Sequence, residues 1–186
     1  MVALLSLWLP ILVSAVLVFI GSSVLHMVLR HHQHDHSKVD REAEVMEALG
    51  KFAIPPGDYF MPRPASMKDI RTAEFREKQK RGPIVLMTVY PNGQMSMVPS
   101  LVQWFIYSLV VSVFAGYVAG RALGPGAPYL AVYRFAGVTS FAGYGLALFQ
   151  DSIWYRRKWS TTAKYAFDGL IYAGLTAGTF GAFWPK

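Results

Sequence analysis

Residues 2–29 read VALLSLWLPILVSAVLVFIGSSVLHMVL, with no Asp, Glu, Lys or Arg among them. A helix needs about 20 apolar residues to cross the hydrocarbon of a bilayer, so this run crosses with length to spare. It does not read as a cleavable signal peptide. No Lys or Arg precedes it, its apolar run is far longer than the usual core of about 7–15 residues, and no A-x-A site ends it. Arg30 and the charged residues after it read as a stop on the side opposite the N-terminus.

Three further stretches have the same character: Pro99–Ala122, Tyr129–Gln150 and Tyr165–Trp184. Together with 2–29 they predict an all-α membrane protein with four transmembrane helices, the last three forming a bundle over 99–184. The composition fits, since 53% of the 186 residues are hydrophobic and only 16% charged, against about 25% charged in soluble domains. The absence of Cys excludes disulfides, thiolate metal sites and cysteine nucleophiles.

The positive charges then give an orientation. Lys38, Arg41, Lys51, Arg63, Lys68, Arg71, Arg76, Lys78, Lys80 and Arg81 fall in the 30–98 segment, with Arg30 at its edge. Arg156, Arg157, Lys158 and Lys164 fall between the last two spans. Only Arg121 and Lys186 lie on the opposite side, with Arg134 inside the third span. This asymmetry predicts both loops in the cytoplasm, both termini outside it, and a cell inner membrane as the location. It also explains the net charge of +7 as topology, so no nucleic-acid partner is expected.

Small residues recur at spacing four, in Gly116-x-x-x-Gly120 and Gly174-x-x-x-Gly178, which predicts close packing within the bundle. The first span has only Gly21, so it is expected to pack more loosely or against another protein, and Pro10 is expected to kink it. Arg134 is read as reaching the outer interface. Asp168, one turn after Lys164, is read as neutralised locally.

The 30–98 cytoplasmic segment divides into four pieces. Ser37–Gly50 reads as an amphipathic helix capped by Ser37, with Val39, Ala43, Met46 and Leu49 on one stripe. Ile54–Pro64, with four prolines, reads as an extended connector. Ser66–Arg81 reads as a charged helix. Pro83–Tyr90, the turn Pro91-Asn92-Gly93 and Gln94–Met97 read as a short β-hairpin.

All five histidines lie between positions 26 and 36. Neutral imidazole suits Zn, Ni, Cu or Fe. In a continued helix His32 and His36 share a face at i,i+4, and His31 and His34 stand one turn apart. Asp35 can add an oxygen. The candidate metal set is therefore His31, His32, His34 and His36, for Zn, Ni or Cu. A solvated polar cap or a pH-sensitive patch beside the bilayer explains the same residues. With no second His cluster on another span, no buried transport site is expected within the chain. Phosphate loops, nucleophile elbows and H-E-x-x-H are absent, and no nucleophile–base pair stands out, so an enzyme is not expected. Two functions remain: an accessory or assembly subunit of a membrane complex, partnered by the bilayer and other membrane subunits, or a small metal-ion-handling or transport protein that uses the histidines.

Overall fold

The structure, a computed structural model, describes residues 1–29 and 31–186; Arg30, assigned above to the membrane edge, lies outside the described residues. The chain is mostly helical. In order it forms α1 (Trp8–Ser23), α2 (Glu42–Gly50), β1 (Gly57–Met61), α3 (Ala73–Arg81), β2 (Val85–Val89), α4 (Val98–Ala122), α5 (Tyr129–Tyr144), α6 (Phe149–Tyr155) and α7 (Trp159–Ala182). It divides into two compact units, Met1–His36 with Ser96–Lys186, and Ser37–Met95.

In the first unit, a 3-10 turn, α1 and a π turn run together as Leu4–Val28. This stretch and α4, at 25 residues each, are long and apolar enough to cross a membrane. α7 is nearly as long, but Lys164, Asp168 and its many Gly and Thr lower its hydropathy. α5 stops after 16 residues. Pro10 stands in the first turn of α1, directly after the 3-10 turn Leu4–Leu7, where its missing N–H costs no helical bond.

The expected continuous helix over 129–150 is broken at Gly145, which leads into a 3-10 turn (Leu146–Leu148) and α6. The cause is a close crossing. A Cβ on Gly169 of α7 would lie 2.9 Å from the Gly145 Cα, so the two backbones meet with no side chain between them. α7 also begins at Trp159 rather than Tyr165, which places Asp168 ten residues into the helix.

Helix α1 packs against α4 and α7, and α5 against α4 and α7. The first span is therefore not loosely held. The Val2 N–H donates to the Gly120 carbonyl at 2.7 Å, and a Cβ on Gly120 would strike the Val2 oxygen. Ser14 donates to Ser112 at 3.0 Å, and the Trp104 indole N–H to Ser22 at 2.8 Å. One apolar cluster joins Leu7, Ala115, Ala119, Val132, Ala136 and Phe180; a second joins Val18, Leu25, Val111, Tyr144 and Tyr172. The small residues thus serve packing within the bundle.

In the second unit, β2 is the strand expected near 83–90, but its partner differs. It pairs antiparallel with β1, from the segment read as a connector, in the register Gly57↔Val89 to Met61↔Val85. The prolines explain this. Pro55, Pro56, Pro62 and Pro64 stand outside the ladder, leaving five proline-free residues able to donate. Residues 96–97 lead instead into α4, where Ser96 Oγ accepts from the Val98 N–H at 3.3 Å.

The amphipathic helix is shorter than Ser37–Gly50. It starts at Glu42, because Arg41 takes a left-handed conformation (φ 56°) and pairs with Glu44. The charged run becomes a 3-10 turn, Asp69–Arg71, followed by α3. Thr72 caps α3 by accepting from the Phe75 N–H at 3.2 Å.

A candidate metal centre

The site forms where α1 gives way to the turn after it. At Val24–Val28 the helix widens to π geometry, which shifts the following side chains around the axis. His26 lies on this widened turn. Its Nδ1 is 3.0 Å from the Ser22 carbonyl. A carbonyl only accepts, so Nδ1 carries a hydrogen, and in the neutral ring Nε2 then holds the lone pair.

His31 and His32 follow in a turn closed by the Asp35 N–H donating to the His32 carbonyl at 3.0 Å. His32 is held from both sides, with Nδ1 2.6 Å from Asp35 Oδ2 and Nε2 2.6 Å from Asp168 Oδ2. His31 Nε2 stands 3.2 Å from the other Asp168 oxygen. The rings of His26 and His32 stack with centroids 4.5 Å apart and planes 13° from parallel.

Asp168 reaches this cluster from α7 and is only 1% exposed. Lys164, one turn earlier, does not neutralise it as the sequence suggested. The Lys164 ammonium donates to the His31 carbonyl and to Asp35 Oδ1, both at 2.8 Å. Asp168 is instead satisfied by the two histidines. Burial pushes the Asp35 carboxyl up, but hydrogen bonds from Lys164 and His32 outweigh that effect and hold it below the usual carboxylate range. Arg157 covers the outer side, stacked 4.8 Å over Tyr165, whose ring lies 4.5 Å from that of His32.

The protonation of His32 decides what this arrangement can do. A neutral imidazole has one N–H, yet both His32 nitrogens face carboxylate oxygens at hydrogen-bond distance. The pair of contacts needs a positive charge on the ring, a proton on a carboxyl, or a cation in place of the Nε2 proton. One ligand atom each from His26, His32 and Asp168 lie within 4.8 Å of one another. Two imidazole nitrogens and a carboxylate oxygen suit Zn, Ni, Cu or Fe(II), and three protein ligands leave coordination positions open. The Nδ1 bonds to the Ser22 carbonyl and Asp35 are the outer contacts that orient metal-binding histidines and fix their tautomer.

Of the four histidines picked out from the sequence, His31 and His32 converge on Asp168. His34 is exposed and contacts Gln33, and His36 is exposed. The residues that complete the cluster are His26, taken for part of the apolar span, and Asp168. The usable signal for Asp168 was its place as the one acid within the last apolar stretch. No protein-family model matches the chain, and no curated protein or solved structure matches it.

Proposed function

We propose that the chain is a multi-pass integral membrane protein that holds a divalent transition-metal ion at His26, His32 and Asp168. In this reading α1, α4, α5 with the 3-10 turn after it, and the part of α7 from Tyr165 onward cross the inner membrane. The 30–98 and 151–164 regions face the cytoplasm, and the metal centre lies at the cytoplasmic ends of the first and last spans. The distribution of Lys and Arg supports the orientation. Large apolar side chains on the outside, among them Trp8, Phe114 and Tyr117, support contact with lipid.

The observation that carries the metal reading is the shared orientation of two histidines. Each has its Nδ1 held by an oxygen, Ser22 for His26 and Asp35 for His32; the His32 Nε2 lies 2.6 Å from Asp168, and one ligand atom each of His26, His32 and Asp168 lie within 4.8 Å of one another. The accessory-subunit reading, which rests on small size and on a cytoplasmic part with an amphipathic helix and a Pro-rich segment, ranks second, since 57–61 of that segment pair with β2 within the chain.

Calorimetric titration of the full-length protein in mild detergent with Zn2+ or Ni2+ tests the proposal. One ion per chain is expected. Asp168→Asn, His26→Gln and His32→Gln should each weaken binding at least tenfold, while the double variant His34→Gln/His36→Gln should bind as the wild type does. Loss of binding only in that double variant would make the exposed tract the metal binder. No binding by the wild type would remove the reading.

A further inference from the structure

Beside the histidines, and reaching from α1 across α4 and α5 to α7, is a cavity of about 390 Å3. That is the size of a small-molecule site rather than a packing defect. Its walls are largely apolar, formed by Met27, Leu101, Trp104, Tyr144 and Leu148, with Asp168 at one end. The aromatic wall is a set of interlocked rings. Tyr172 meets Trp104 at 5.7 Å and Tyr144 at 5.6 Å, both edge to face.

Several polar groups of this wall have partners within the protein. The Trp104 N–H donates to Ser22, and the Ser22 hydroxyl donates to the Phe19 carbonyl. The Tyr144 hydroxyl donates to the Ser108 carbonyl at 3.4 Å. The Tyr172 hydroxyl has no partner, although the residue lines the cavity and is only 4% exposed. Among the described residues it is the one buried side-chain polar atom in this condition. Buried hydroxyls are ordinarily hydrogen-bonded, so an unpaired one on a cavity wall points to an absent partner.

We propose that this cavity binds a neutral, membrane-soluble molecule with an apolar body and one carbonyl-type oxygen, and that this oxygen accepts the Tyr172 hydroxyl proton. The apolar lining fits the body. The head is neutral because no Lys or Arg is among the described lining residues to pair with a carboxylate or phosphate. Water is a poor tenant, since it needs two to four polar partners and the wall offers few. The inference goes beyond the metal reading and does not require an ion.

The test uses full-length protein in mild detergent with chelator present, so that metal plays no part. The probe is 2-dodecanone carrying a 13C carbonyl, with dodecane and dodecanoate as comparators. A saturable carbonyl resonance, one ketone per chain, is expected downfield of the ketone dissolved in empty micelles. Tyr172→Phe, which removes only the hydroxyl, should abolish the downfield displacement and weaken binding about tenfold. Leu101→Trp, which fills the cavity, should abolish saturable binding. Equal binding by Tyr172→Phe, binding that survives Leu101→Trp, or tighter binding of dodecanoate than of the ketone would each overturn the proposal. Should Tyr172→Phe not fold, the wild-type spectrum still decides. A bound carbonyl at the micellar position, or no saturable signal at all, refutes it.

Discussion

In residues 37–95 the ion pairs join residues three or four positions apart in the chain. Lys38–Glu42, Glu47–Lys51 and Glu74–Lys78 are i,i+4; Arg41–Glu44 and Glu77–Lys80 are i,i+3; all are well exposed. In the helical unit the contacts Asp168–His31, Asp168–His32 and Asp35–Lys164 link residues 129 to 137 positions apart, and both carboxylates are buried. The same side-chain chemistry serves different ends. Exposed neighbours gain little from pairing, about 0–1 kcal/mol, and mainly keep a surface soluble. Buried partners have given up water, and removing one strands the other. The first kind decorates helices that would form anyway. The second determines which helix ends come together.

The largest expected break in that contrast is Asp168→Ala. It should destabilise the helical unit by roughly 3 kcal/mol, the low end of the range for a broken buried pair. Denaturant unfolding in detergent measures it. Lys51→Ala, in the exposed set, should leave the same curve unchanged. Equal effects from the two would erase the distinction.

Glycine substitutions sharpen it next. In Gly169→Ala the new methyl would lie 2.9 Å from the Gly145 Cα, and backbone cannot yield as a side-chain tip can. The expected loss is about 1–3 kcal/mol in the same unfolding experiment. Gly50→Ala, at the end of α2 with nothing within 4 Å of the added carbon, should be neutral or slightly stabilising.

The smallest effect concerns Glu74. A hydrogen bond from Lys78, and its charge, hold the Glu74 carboxyl below its ordinary value. A lowered folded value means that the pair contributes fully above the ordinary carboxylate range and is lost as pH falls through the lowered one. Carboxyl 13C NMR should show the midpoint of Glu74 rising towards normal in Lys78→Gln, with no change in global stability.

What the sequence made legible follows from how local each feature is. The apolar run over 2–29 and the second half of the charged helix depend on neighbours a few residues apart, and both are readable. The partner of β2 was not. Proline counts marked 54–64 as irregular, whereas the positions of those prolines leave 57–61 free to pair. The convergence of side chains at Asp168 is half readable. Clustering of histidines in sequence drew attention to His34 and His36, but convergence is decided by which side chains face α7. The π turn at Val24–Val28 and the left-handed Arg41 are backbone departures that no periodicity announces. Asp168 was misjudged because a lysine one turn away seemed a sufficient partner, and that lysine reaches past it.

That reach has its own consequence. Lys164 holds Asp35, Asp35 holds His32, and His32 touches the buried Asp168, so the chain of contacts begins in the core and ends on an ammonium whose side chain is 36% exposed. Acylation of this one amine would remove the donor that holds Asp35, and with it one of the two contacts that fix the His32 ring, so a reagent acting from solution reaches the buried cluster through a single side chain.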